Sequence, residues 1–142
     1  DVVVTATSAS EPVFDSADLA DGAHVTAMGQ YHPEKHELDA ETVERAVYVP
    51  DLRDRVTQDA GSFLHALDEG VVTEDHVHAE LGDVIAGNAP GRESDDDVTV
   101  FDSGGTGIET AAAAHMLYER ARDRNRGTEI EFAAASDALT SE

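Results

Sequence analysis

The sequence predicts an α/β protein built on a mostly parallel sheet with helices on its faces. Short apolar runs alternate with stretches whose apolar residues recur at helical spacing, which is typical of this class. Residues 1–7 form a continuous run rich in β-branched residues, typical of a strand buried on both faces of a parallel sheet. A length of 142 residues with 40% hydrophobic content fits one domain of ordinary size.

The first half of the chain predicts three strands and one short helix. Strands are expected at residues 1–7, 24–28 and 46–49, where Gly29 ends the second and Pro50 stops the third. Residues 8–22 predict a loop with one helical turn around residues 17–19. Asp39 is expected to cap a helix over residues 40–45.

The second half predicts three helices and two strands. Apolar spacing predicts one helix on Phe63, Leu64 and Leu67, and a second on Val77, Leu81, Val84 and Ile85 that Gly87 ends. A fourth strand is expected at residues 97–101 and a long helix at 108–124. A late strand is expected at 129–132, followed by a frayed tail.

The charge of the chain is strongly unbalanced. The chain has 31 acidic residues and nine basic ones, which gives a net charge of −22. Lys35 is the only lysine. Self-repulsion of this size destabilises a compact state in dilute salt, but at molar salt the Debye length falls to about 3 Å. We interpret the composition as adaptation to a salty cytoplasm. The alternative, an acidic surface for a basic partner, predicts a cluster, whereas the acids are spread along the chain.

Several classes of function are excluded or disfavoured. The absence of cysteine excludes disulfides, zinc–thiolate sites and a thiol nucleophile. No basic stripe is present to neutralise phosphates, so nucleic acid is not an expected partner. No apolar run approaches the about 20 residues of a membrane span, and no signal-peptide pattern opens the chain, so we predict a cytoplasmic protein. We predict no metal, because the possible ligands lack a helical i, i+4 pair; they are His32, Glu34, His36 and Glu37.

Three strand ends are expected to line one crevice. Ligands of open parallel sheets bind at the carboxyl ends of the strands, which places residues 5–7, 28–31 and 102–105 side by side. Small and hydroxyl residues there would let a flat ligand approach the backbone, and residues 103–107 lead into a helix N-terminus. The alternative is that these are ordinary strand-to-helix turns. The glycine-rich G-x-G-x-x-G turn is missing.

Blocks of sequence in the same order resemble the C-terminal part of the ornithine cyclodeaminase/mu-crystallin family. They are VTAT (4–7), AMG (27–29) followed by Pro33, Lys35 and ELD (37–39), AELGDVIAG (79–87), GRES (91–94) and VTVFDS (98–103). The resemblance runs from residue 1 to about residue 130. It implies the second half of a Rossmann-type NAD(P)-binding domain over residues 1–107. Residues 108–142 would form a C-terminal helix, strand and frayed tail that return toward a missing substrate and dimerisation domain.

The resemblance also implies a function. The chain would be the C-terminal part of an NAD(P)-dependent oxidoreductase acting on small amino or imino acids, such as a ketimine reductase or an alanine dehydrogenase. Ornithine cyclodeaminase, and a truncated non-enzymatic remnant or binding module, are the alternatives. The complete protein would be a homodimer. Gly104 would face the substrate, and the residues along NAD or NADP would be Thr5, Ala6, Thr7, Met28, Gly29, Gln30, Lys35 and Ser103.

Tyr31 departs from the family pattern. The ornithine-cyclising members carry an aspartate at its position, and a phenol with an ordinary pKa of about 10 cannot replace that base. The ketimine-reducing branches also lack the aspartate, so Tyr31 favours imine reduction and is our candidate catalytic, substrate-facing residue. The alternative is that its ring only packs. The family's glycine-rich loop and substrate-binding basic residues lie upstream of residue 1, so we expect the isolated chain to be inactive.

Overall fold

Four short parallel strands form the sheet of this protein. The computed structural model describes residues 1–28 and 31–130. The strands are β1 (Val2–Thr5), β2 (His24–Ala27), β3 (Val47–Pro50) and β4 (Thr99–Asp102), in the order β1-β2-β4-β3. The register aligns Thr5 with Ala27, and Asp102 with both Ala27 and Pro50, so all four strands end at one level. The predicted fold class and the first four predicted strands are confirmed.

Within the described residues, four α-helices and two 3-10 turns lie between the strands along the chain, and a fifth α-helix follows β4 in the sequence. The turns are Ser16–Asp18 and Glu74–His76, and the helices are α1 (Ala40–Arg45), α2 (Arg53–Asp59), α3 (Gly61–Asp68), α4 (Leu81–Ala86) and α5 (Gly107–Asp123). Asp39 caps α1 as predicted, since its side chain accepts a hydrogen bond from the Thr42 backbone N–H at 2.8 Å. Gly87 ends α4 in the left-handed region, with φ of 77°.

Two details of the helix prediction are wrong. Helix α2 was not predicted, because its sequence RDRVTQD contains one apolar residue and therefore shows no periodicity. Val77 was assigned to the helix that became α4 but lies before it. Val77 is buried and forms a parallel bridge with Tyr48, which extends the pairing beside β3.

The core lies on one face of the sheet. Val25, Tyr48 and Val100 are fully buried there, packed in one cluster with Val43 of α1 and Phe63 of α3. This core packs the helices against the sheet, while the pairing register keeps the carboxyl ends of the strands level.

Strand β1 was expected to be buried on both faces, and this expectation is wrong for the described residues. Val2 is 72% exposed and Val4 is 59% exposed, whereas Thr5 is buried. Within the described residues β1 is the first strand in the order and pairs only with β2, so fewer elements pack over its faces than over those of the inner strands.

Residues Asp1–Gly105 and Thr106–Glu142 form two separate compact units. In the second, α5 begins with a capping box in which Thr106 and Glu109 bond each other's backbone N–H. Glu129 and Ile130 are not in a strand, and the rest of the predicted late strand and the predicted frayed tail lie outside the described residues. The division at residue 107 stays a prediction. No helix within residues 1–28 and 31–130 is long and apolar enough to cross a membrane.

Candidate functional site

The carboxyl edge of the sheet brings the three predicted strand ends together. The Met28 N–H donates to the Thr5 carbonyl at 3.0 Å, and the Ser103 N–H donates to the Ala27 carbonyl at 2.8 Å. The Thr7 N–H donates to Glu37 Oε1 at 2.6 Å, and this hydrogen bond connects the segment after β1 to the loop after β2. The three strand ends therefore lie side by side as predicted, while their role toward a cofactor stays a prediction.

The predicted site residues differ in their surroundings. Thr5 is buried and its hydroxyl has no hydrogen-bond partner in the part of the chain that the structure describes. Ala6 and Met28 are exposed, while Gly29 and Gln30 lie outside the described residues. Lys35 is half-buried in a tight turn, where its N–H donates to the His32 carbonyl at 3.0 Å. The backbone of this turn lies against α3 so closely that a Cβ at Gly61 would collide with it.

Tyr31 packs between Gly104 and Arg55. A Cβ at Gly104 would lie 2.5 Å from Tyr31 Cζ, so the ring occupies the space that only glycine leaves free. The Arg55 guanidinium lies over the ring, 4.7 Å from its centroid. The Tyr31 hydroxyl is buried and has no hydrogen-bond partner among the described residues. Burial, followed by the charges of Asp102 and Asp51, raises the pKa of Tyr31, so its phenol stays protonated at neutral pH.

Three buried carboxyl groups lie at the same edge, on Glu37, Asp51 and Asp102. Asp102 accepts a hydrogen bond from the Tyr48 hydroxyl. Burial raises the pKa of Asp102 to about 7; Asp51 and Glu37 add to the rise, and the Tyr48 hydrogen bond opposes it. Burial and Asp102 raise the pKa of Tyr48. The edge can therefore hold a proton on Asp102 near neutral pH.

The turn after β4 is held from both sides by residues that follow β3. Asp51 Oδ2 accepts from the Gly104 N–H at 2.9 Å, and its Oδ1 accepts from the Leu52 N–H at 2.9 Å. Arg55 Nη1 donates to the carbonyls of Gly104, at 3.3 Å, and Gly105, at 3.1 Å. Asp51 and Arg55 thus hold the turn that carries Ser103 and Gly104 through hydrogen bonds to its backbone N–H and carbonyl groups.

Sequence reasoning missed Asp51, Arg55 and Tyr48; it placed Asp102 among the strand ends without a role, and it gave Glu37 no role at the site. Asp51 directly follows β3 and Asp102 is the last residue of β4, and a carboxylate at the end of an apolar strand was a usable signal. The sequence contains no comparable signal for Arg55 or Tyr48. Arg55 lies in α2, which lacks apolar periodicity, and Tyr48 is an ordinary residue of β3.

The residues considered as metal ligands have other contacts. His32 Nδ1 accepts from the Glu34 N–H at 3.2 Å, and His36 stacks on His65 with ring centroids 3.8 Å apart. Glu37 binds the Thr7 N–H. Among the residues that the structure describes, no group of three or more His, Asp and Glu side chains is arranged to hold a metal ion.

The fold and this edge define a parallel α/β protein whose strands end together, at the edge where ligands of open parallel sheets bind. The model of the ornithine cyclodeaminase/mu-crystallin family matches residues 1–125, and the chain belongs to this family. The family assignment made from the sequence blocks is therefore confirmed.

Relatives of several activities are similar to this chain. Alanine dehydrogenase of Archaeoglobus fulgidus is 39% identical over 132 residues, which are 93% of this chain and 41% of the relative. Delta(1)-pyrroline-2-carboxylate reductase of Bacillus cereus is 39% identical over 133 residues, with the same coverage. The structure of the Thermococcus litoralis enzyme of that name, in complex with NADH and L-proline, matches with a TM-score of 0.81 and 36% identity. It covers 91% of this chain and 40% of the other. The chain thus spans about two fifths of the length of these curated relatives.

Proposed function

We propose that this chain forms the nicotinamide and substrate side of an NAD(P)-dependent oxidoreductase acting on amino or imino acids, and that it belongs to the imine-reducing branch. The observation that carries the proposal is Tyr31, a protonated phenol whose hydroxyl has no hydrogen-bond partner among the described residues and whose ring lies beside the glycine predicted to face the substrate. The relative whose structure contains NADH and L-proline supports it, as does the NAD⁺ complex of the Paracoccus denitrificans iminosuccinate reductase, which is 35% identical with a TM-score of 0.76.

The strand ends fit one side of a dinucleotide. Thr5 is buried at the end of β1, where its hydroxyl has no hydrogen-bond partner among the described residues, and the segment after it is exposed. The chain has no G-x-G-x-x-G turn, so residues outside it would bind the pyrophosphate. When bound, the nicotinamide would supply or accept the hydride. The residues proposed to contact it are Thr5, Ala6, Thr7, Met28, Gly29, Gln30, Lys35 and Ser103.

The protonation state of Tyr31 favours reduction over cyclodeamination. Reduction of an imine adds a hydride to carbon and a proton to nitrogen, and a protonated phenol can donate a hydrogen bond or that proton. Cyclodeamination needs a base at the substrate amine, and a phenol whose pKa is raised above its ordinary value is a poor base at neutral pH. Ornithine cyclodeaminase activity and a non-enzymatic binding module are the competing functions.

The assembly and setting of the protein are part of the same proposal. An archaeal alanine dehydrogenase dimer with bound NAD is 39% identical to this chain with a TM-score of 0.77, which supports a homodimer. The proposal of a salt-adapted cytoplasmic enzyme rests on the net charge of −22 and the single lysine.

The test uses the protein expressed from the complete gene. NAD(P)H oxidation is measured with cyclic and linear α-imino acids, and ammonia release is measured with ornithine. We expect imine reduction with little ammonia release. Tyr31→Phe should lower turnover by about 10²-fold if the hydroxyl takes part, the low end for a positioned acid. An unchanged turnover would mean that the ring only packs. Robust proline formation from ornithine by the wild type would overturn the reductase assignment.

A further inference from the structure

We propose that Arg55 is the positioning residue that orients Tyr31 against the turn at Gly104. The inference rests on the proposed function for the catalytic meaning of Tyr31. The contact itself can be tested without catalysis, so the two ideas can fail separately.

The hydroxyl of Tyr31 does not fix the orientation of its ring. Buried tyrosine hydroxyl groups usually find a hydrogen-bond partner, but this one has none among the described residues. The ring is therefore held through its carbon atoms, which pack against the hydrophobic core, against Gly104 and against the Arg55 guanidinium.

Arg55 is itself held in place by three contacts. Its Nη1 donates to the carbonyls of Gly104 and Gly105, and its Nε lies 3.8 Å from Asp59 Oδ2, one helical turn further along α2. The guanidinium is planar, so it can donate hydrogen bonds in its plane while its face stacks on an aromatic ring. Arg55 thereby joins α2, the turn after β4 and the loop after β2, which are the segments that would enclose the substrate.

If Arg55 acted on Tyr31 only through its charge, removing it would change the pKa of Tyr31 in the opposite direction from a loss of positioning. Its positive charge lowers the pKa of Tyr31, whereas burial is the largest cause that raises it. Loss of the charge alone would therefore leave less phenolate. Loss of positioning would expose the ring, lower the pKa toward its ordinary value and produce more phenolate.

Nitration by tetranitromethane, which attacks phenolate, measures this difference. The chain in molar KCl at about pH 8 is nitrated, and each tyrosine is quantified by peptide mass spectrometry. Arg55→Ala should raise the nitration rate of Tyr31 by about tenfold for each pKa unit by which exposure lowers the pKa. Arg55→Lys should give an intermediate rise, because an ammonium retains the charge without the planar fork. The matched control is Arg122→Ala, which removes a guanidinium 5.5 Å from the Tyr118 ring and should leave Tyr31 unchanged.

Fully buried Tyr48 reports on the folded state. An unchanged or slower nitration of Tyr31 in Arg55→Ala, with Tyr48 still protected, would overturn the proposal in favour of a charge effect. Equal nitration of Tyr48 and Tyr31 in both Arg55 variants would also overturn it, because Arg55 would then act on overall stability. If Arg55→Ala does not fold, Arg55→Lys decides by the same criteria.

In the complete enzyme, Arg55→Ala should lower kcat and leave KM for NAD(P)H unchanged. It should cost little more when combined with Tyr31→Phe, because the two residues act as one unit. Additive losses in the double variant would contradict the proposal.

Discussion

Asp102 should make the stability of this fold depend on pH between about 4 and 7. Its carboxyl is buried and its pKa is raised to about 7, mainly by burial, whereas in the unfolded chain an aspartate titrates near its ordinary 3.8. Within this window the folded state binds a proton that the unfolded state releases. The contribution of Asp102 to the free energy of unfolding is therefore fully present below about pH 4 and is lost as the pH rises through 7.

The magnitude follows from the same difference. About three pKa units, at about 1.4 kcal/mol each, give a loss of up to about 4 kcal/mol between pH 4 and 8. In the variant Asp102→Asn, the asparagine side chain has nearly the same shape as aspartate and cannot ionise. It can still accept the hydrogen bond from Tyr48. We expect the free energy of unfolding of the variant, relative to wild type, to rise by up to about this amount over the window.

Urea unfolding followed by circular dichroism in molar KCl, at several pH values across this window, measures the difference. Burial lowers the pKa of His24 and His36, so their contributions are lost as the pH falls below about 6.5. These contributions cancel in the comparison of variant with wild type. Tyr48→Phe removes the hydrogen bond that favours the charged carboxylate, so it should move the midpoint of the pH dependence upward. A stability difference between Asp102→Asn and wild type that is the same at every pH would refute the reasoning.

Four further outcomes are expected. Helix content and melting temperature should rise from dilute buffer to molar KCl, because screening reduces the repulsion of −22 charges; equal values would argue against salt adaptation. Asp39→Ala should cost about 1–2 kcal/mol in urea unfolding, since Asp39 caps α1 and also accepts from the Ser16 N–H at 2.9 Å; no loss would rule out that cap. Gly104→Ala should displace the Tyr31 ring and increase its nitration, and an unchanged rate would contradict the packing. In a fluorescence titration, the 142-residue chain should not saturate with NAD(P)H at millimolar concentration, and tight binding would disprove this.

The sequence by itself determined the elements whose signals are local. The β-branched runs predicted the four strands, and Asp39 and Gly87 predicted where α1 begins and α4 ends. Alternation of strands and helices was enough to predict a parallel sheet and the edge where a ligand would bind. Each of these signals depends only on residues that are close together in the chain, so it can be read from the sequence without the tertiary structure.

Only the tertiary structure decided which side chains meet at that edge. Tyr48 reaches Asp102 across 54 positions of the chain, and Asp51 reaches the Gly104 N–H across 53. No local pattern encodes such pairs, because they depend on the order β1-β2-β4-β3, which brings β3 beside β4. The same order leaves β1 at the sheet edge and buries the carboxyl of Asp102. The pKa of that group is therefore a property of the packed fold, and the residue type alone does not predict it.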